Sequence, residues 1–176
     1  MYHLLILSIL AILSFSTNSK ENRAKLILDI QSFDPDLLQI RDAFGVMTSV
    51  SPQKTGESKF EILLPIDKPG IRSFNYASNY KQLFLLPGKD LTISFDAKNV
   101  AGTYAYGGSL ATENVLLESV KQQLENIDYT YLYALSMGMA LPYIDSLTTA
   151  NNQYLNKVIS SKHIKSDFTE IVKASI

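Results

Sequence analysis

Few side chains in this sequence can do chemistry, and their spacing points to no particular reaction. There is no cysteine. That removes a thiol nucleophile, thiol redox chemistry and thiolate metal sites together. His163 is the one histidine beyond the N-terminal stretch. It stands in "SSKHIKSD", between two helical patterns. A general base needs a reactive partner and an orienting group within hydrogen-bond reach. The sequence places neither, and a solvated loop histidine is the better reading. Asp34 and Asp36 flank Pro35, while Asp67 and Asp90 stand at turns. Two carboxylates with separated pKa values can run acid–base chemistry. Aspartate at a turn usually hydrogen-bonds nearby backbone instead, and we favour that role here. "DPD" falls short of the D-x-D-x-D-G calcium loop. Tyr106–Gly108 precedes a helical pattern but lacks G-x-G-x-x-G spacing and a Walker lysine. A strand-to-helix hinge is the better reading of it. No serine has a G-x-S-x-G setting. We therefore expect no catalytic, cofactor-binding or metal-ligating residue, no cofactor, and no enzyme activity.

Tyrosine is the more informative residue. Tyr129, Tyr131, Tyr133, Tyr143 and Tyr154 form a tyrosine-rich zone. A tyrosine ring packs while its hydroxyl stays wet, which suits an interface. It suits the edge of an amphipathic core equally well.

The elements that must position these residues can be read from composition and period. The chain of 176 residues fits one domain, or one domain with an appended element. A chain of that size buries about 70% of the surface its unfolded form exposes, enough for a core without staples. The formal net charge of −1 offers no electrostatic grip on nucleic acid or anionic lipid.

From Ala24 to about Tyr106 the period is two. Leu26, Leu28 and Ile30 share one face, opposite Lys25 and Asp29. Phe60, Ile62 and Leu64 do the same, opposite Lys59 and Glu61. Leu91, Ile93 and Phe95 alternate with Thr92, Ser94 and Asp96. This is the pattern of antiparallel sheet with one wet side. With Leu37–Arg41, Phe44–Val50 and Ile71–Tyr76, about seven short strands are expected. Asp67–Gly70 and Pro87–Gly88 carry Pro followed by Gly, the signature of a type II turn. The second should join Tyr80–Leu86 and Asp90–Asp96 as a hairpin. "LFLL" is apolar throughout, so that strand should lie centrally with both faces covered. Turns at these intervals suggest a β-sandwich or a partly open barrel.

After Gly107–Gly108 the period becomes helical. Leu110, Leu117, Val120, Leu124 and Ile127 recur at three- and four-residue steps, with Ser109 or Thr112 placed to cap the start. Pro142 should break or begin a helix. Ile144, Leu147, Tyr154, Leu155, Val158 and Ile159 make a second stripe. Asp167–Glu170 has capping-box spacing for a last helix. That helix meets Ile176 without a stop signal, as a truncated chain would. The fold class is thus α+β: a β-rich domain over 24–106, then a helical segment over 107–176.

The start of the chain reads differently. Leu4–Leu13 is apolar on every side but about half the roughly 20 residues of a membrane span. Its length suits a signal-peptide core, with Ser14 and Ser16 meeting the small-x-small rule for cleavage after Ser16. Residues 1–16 are read as a signal peptide whose n-region lacks Lys or Arg. No cysteine is available for a lipoprotein anchor. We expect export to the periplasm or another extracytoplasmic space, with no stable membrane span after cleavage.

Three segments carry a family likeness: "FEILLPIDKPGIRSF", "LFLLPGKDLTISFDAKN" and "YAYGGSLATENVLLESV". Together they resemble the N-terminal region of exported thioredoxin-like proteins of the TlpA/ResA type. That family pairs an "lxPGDslxixfD" pattern with a "G-x-x-A-x-x-N-x-x-L" helix start. The matching positions are Leu86–Asp90, Ile93, Phe95 and Asp96, then Gly108, Ala111, Asn114 and Leu117. The resemblance spans roughly 59–176 and implies the accessory β-domain and helical connector. The family's redox domain, with its C-x-x-C pair, lies beyond this region, so no active-site residue carries over. The expected role is a non-catalytic binding or scaffolding module, either stand-alone or a fragment. It would meet a protein partner through a sheet edge or the tyrosine-rich helices. The competing readings are a carboxylate-dependent hydrolase with two acids about 5–10 Å apart, and a ligand carrier with a barrel cavity.

Overall fold

The computed structural model describes residues 22–175 apart from 126, 163 and 165. The expected signal peptide and His163 lie outside the described residues.

Period-two alternation produces the strands β1 (Arg23–Gln31), β2 (Leu38–Arg41), β3 (Met47–Thr48), β4 (Gln53–Lys54) and β5 (Lys59–Pro65). It continues through β6 (Gly70–Tyr76), β7 (Asn79–Leu85), β8 (Asp90–Asp96) and β9 (Ala105–Gly107). β4 and β9 are too brief to leave a periodic signature, and of the strand expected over Phe44–Val50 only the two residues of β3 form. The helices are α1 (Val100–Thr103), α2 (Ala111–Glu125), α3 (Tyr129–Ala134), α4 (Met137–Lys162) and α5 (Ser166–Ser175). The architecture is α+β, with strands first and helices after.

The strands form two sheets, ordered β4-β5-β1-β8-β9 and β3-β2-β6-β7. Neither closes on itself, so the sheets make no closed barrel. They pack face to face. Leu26, Leu28, Ile30, Ile62, Leu64, Leu91, Ile93 and Phe95 are all buried. From the first sheet, Phe95 meets Phe74 and Tyr76 of the second, with ring centroids 6.5 and 5.3 Å apart.

Two expectations about pairing are overturned. β7 and β8 do not form a hairpin; they lie in different sheets. The corner between them is a turn in which Lys89 N–H donates to Leu86 O, with Gly88 at φ 70°. It is pinned to β1 rather than to a partner strand. Gly88 N–H donates to Arg23 O, and Lys25 N–H donates to Lys89 O. β8 then runs parallel to β1, setting Leu26 beside Leu91 and Ile30 beside Phe95. The remaining pairings are antiparallel. The Asp67–Gly70 corner likewise carries the chain between sheets. There Gly70 already belongs to β6 and does not take the positive φ of a type II turn. The hairpin in this region is β6–β7, closed by Ala77 and Ser78 with Ala77 at φ 52°.

β7 is an edge strand, not a central one, yet Leu83, Phe84 and Leu85 are all buried. The sandwich core covers one face and helices cover the other. Phe168 of α5 meets Phe84 edge-on, with centroids 5.1 Å apart. Burying Phe168 and Val172 contributes about 1.5–3 kcal/mol each to holding α5 in place.

Pro142 neither begins nor breaks a helix, because it lies inside α4. Its missing N–H would have met the carbonyl of Gly138. Gly138 is exposed in the first turn of α4, where water can take that role. Asp167 lies within the first turn of α5 rather than before it. A carboxylate there complements the helix dipole.

Candidate functional site

The aspartates marked in the sequence are not gathered. Asp34 caps a short 3-10 turn at Pro35–Leu37, its Oδ1 accepting from Asp36 N–H at 3.0 Å. Asp67 is exposed at the β5–β6 corner. Asp90 opens β8 and ties the sandwich to α2. Its backbone N–H donates to Ser109 Oγ at 3.2 Å, and its carbonyl accepts from Leu110 N–H at 3.2 Å. Ser109 N–H approaches Asp90 Oδ2 at 3.4 Å. The Ser109 hydroxyl is thus spent on Asp90. Tyr106–Gly108 forms the junction from β9 to α2, with Gly108 at φ 81°.

One carboxylate pair escaped the sequence reading. Asp29 and Asp96 border a cleft of about 420 Å³ on the outer face of the first sheet, with Gln31, Ser94 and Thr103. The β1–β8 register creates it by setting Asp29 beside Ser94 and Gln31 beside Asp96. Nothing in local spacing announces a parallel pairing between distant strands. Both acids already hold neighbours. Asp29 Oδ1 accepts from Ser58 Oγ at 2.5 Å, and Asp96 Oδ1 accepts from Lys98 N–H at 2.9 Å. Among the described residues, no group of three or more His, Asp or Glu could hold a metal ion.

A second polar cluster lies between β7, β9 and α2. Lys81 pairs with Glu118 and sits 5.1 Å from the centre of the Tyr104 ring. Tyr104 stacks on Phe95 and meets Tyr106 edge-on. Burial pushes both phenols well above the usual tyrosine range; the adjacent phenol adds to this at Tyr104, and Glu118 at Tyr106. Held protonated, they cannot serve as bases near neutral pH. The cluster packs α2 against the sandwich.

Among the described residues, half of the exposed large apolar side chains lie on two neighbouring helices. Tyr129, Tyr131 and Tyr133 of α3 are exposed, as are Met137, Met139, Leu141 and Ile144 of α4. Tyr133 and Met137 keep 83% and 82% of their surface open. Position along α4 explains the split within the tyrosine-rich zone. Tyr154 and the buried Leu155, one half of α4, pack on the core. The other half of α4 pairs with α3, where Tyr131 meets Tyr143 edge-on at 5.3 Å. Asp128 caps α3, its Oδ1 accepting from Tyr131 N–H at 2.9 Å. Between the two helices runs a groove of about 280 Å³, walled by Ile127, Leu132, Ile144 and Leu147.

Sheet edges are poorer candidates. β3 and β4 have two residues each and β9 has three, too short to template an added strand. The long edge, β7, is interrupted at Phe84. Phe84 N–H donates to Asn114 Oδ1 at 2.9 Å, and Asn114 Nδ2 donates to Phe84 O at 3.0 Å.

Among the described residues, no helix is long and apolar enough to cross a membrane. Comparison with known protein families, curated proteins and solved structures finds no match.

Proposed function

We propose that this chain is a non-catalytic, exported binding or scaffolding module that docks a protein partner through the α3–α4 arm. One observation carries the reading: seven large apolar side chains, from Tyr129 to Ile144, stand exposed on two adjacent short stretches of helix. Contiguous exposed apolar surface rimmed by polar groups marks interaction sites. Tyrosine and methionine are enriched where proteins meet. The apolar N-terminal run supports export. The likeness to the accessory region of TlpA/ResA-type proteins supports a positioning role rather than a chemical one.

Site-specific photo-crosslinking tests this. A benzoylphenylalanine at Tyr133 should give discrete protein adducts in cells, and the same probe at exposed Leu63 on β5 should not. Equal labelling from both positions, or none from Tyr133, refutes docking through the arm.

A further inference from the structure

On that reading of the arm, we infer that its occupant is a basic amphipathic helix of a partner protein. The spacing of the residues along the groove suits one. Along α4 its wall is Ile144, Leu147 and Asn151, spaced three and four residues apart, with Ile127 and Leu132 opposite. A helix laid into such a groove inserts side chains of the same spacing.

Charge selects the kind of helix. From 128 to 156 the chain has two carboxylates, Asp128 and Asp145, and no Lys, Arg or His. Both are exposed. Asp128 begins the α3 wall, and Asp145 lies one turn from Thr148, which lines the groove. The arm therefore offers an apolar slot with negative margins and nothing to pair an acidic visitor. A helix with leucine-like anchors and Lys or Arg flanks satisfies both features.

Other occupants fit less well. A second copy docked by twofold symmetry would oppose the same carboxylates with no cation between 128 and 156 to answer them. A lipid surface is gripped by helices rich in Lys and Arg, and the arm has only Lys157 and Lys162, at the far end of α4 from the groove. An added strand finds the short edges brief and the long one interrupted at Phe84.

The test uses a designed amphipathic helix of leucine and lysine, a leucine–glutamate counterpart, and neutral and anionic phospholipid vesicles. Fluorescence anisotropy with the full chain should show the leucine–lysine helix binding at least about tenfold tighter than the leucine–glutamate one, a difference near 1.4 kcal/mol. Asp128→Asn keeps a helix cap while removing charge. Combined with Asp145→Asn, it should weaken binding several-fold and flatten its salt dependence. Ile144→Ser with Leu147→Ser should abolish binding while circular dichroism stays unchanged.

Preference for the acidic helix, binding of neither, stronger binding to vesicles, or self-association lost in the Ile144→Ser, Leu147→Ser protein each overturns the basic-helix assignment. If the Tyr133 cross-link persists in that event, docking through the arm stands without it. If the cross-link also fails, both fall.

Discussion

The side chain of Asn114 pairs with the backbone of Phe84 as a neighbouring strand would. It accepts from Phe84 N–H at 2.9 Å and donates to Phe84 O at 3.0 Å. A further bond from Nδ2 to Leu110 O, at 2.9 Å, fixes its orientation on α2. One side chain thereby caps the edge of the second sheet at Phe84 and anchors α2 across it.

Replacing that side chain should be costly. Asn114 is fully buried, so Asn114→Ala strands both backbone groups of Phe84 away from water. Each orphaned group costs about 1–3 kcal/mol. Urea denaturation should show a loss in that range or above. A loss under about 0.5 kcal/mol, the size of an ordinary surface change, would mean that α2 is not held by this contact.

Two glycines should respond differently to the same change. Gly88 and Gly108 both have positive φ, at 70° and 81°. A methyl group at Gly88 meets nothing within 4 Å, so Gly88→Ala carries only the left-handed backbone cost of roughly 1–2 kcal/mol. At Gly108 the same methyl group would fall 2.5 Å from Asp90 Oδ2 and 3.1 Å from Asp90 O. Gly108→Ala should therefore cost clearly more in thermal or urea unfolding. Equal costs would show that the Asp90 joint yields freely.

Much of this was legible in the sequence, and what was not has physical causes. Leu91, Ile93 and Phe95 point inward as alternation requires. The β7–β8 hairpin failed because Pro87–Gly88 specifies a chain reversal but not the strand waiting beyond it. β1, far away in sequence, supplied that partner. Asn114 was read only as part of a family pattern, although a polar residue on the apolar face between Leu110 and Leu117 is a trace of a buried bond. Tyrosine spacing alone could not separate interface from core edge. Tyr154 packs on the core while Tyr133 is open, and only the path of α4 decides which is which.

Alkaline stability should report on Tyr104 and Tyr106. Burial raises both phenols above their unfolded values, so the folded state holds its protons more tightly. The stabilisation is complete below about pH 10, where the unfolded phenols are protonated, and is lost as pH climbs beyond it. Each phenol adds up to about 1.4 kcal/mol per pH unit to that decline. Urea midpoints measured on either side of that pH should fall less steeply in Tyr104→Phe than in the parent chain. Parallel slopes would show that the ring is hydrated in solution.

The C-terminal helix should behave as a detachable cover rather than as part of the sandwich. α5 is held by Phe168 against Phe84 and by Val172, both buried. Phe168→Ala removes the larger anchor, and such truncations cost about 3–5 kcal/mol in a rigid core. An isolated helix of ten residues is too short to persist in water once undocked. Amide hydrogen exchange on the Phe168→Ala protein should accelerate across α5 and at Phe84, while β1 and β8, paired over seven residues, keep their protection. Uniform acceleration through β1 and β8 would instead make α5 integral to the cooperative core. The arm would then be carried on a single rigid unit with the sandwich, not on a helical layer able to loosen beneath it.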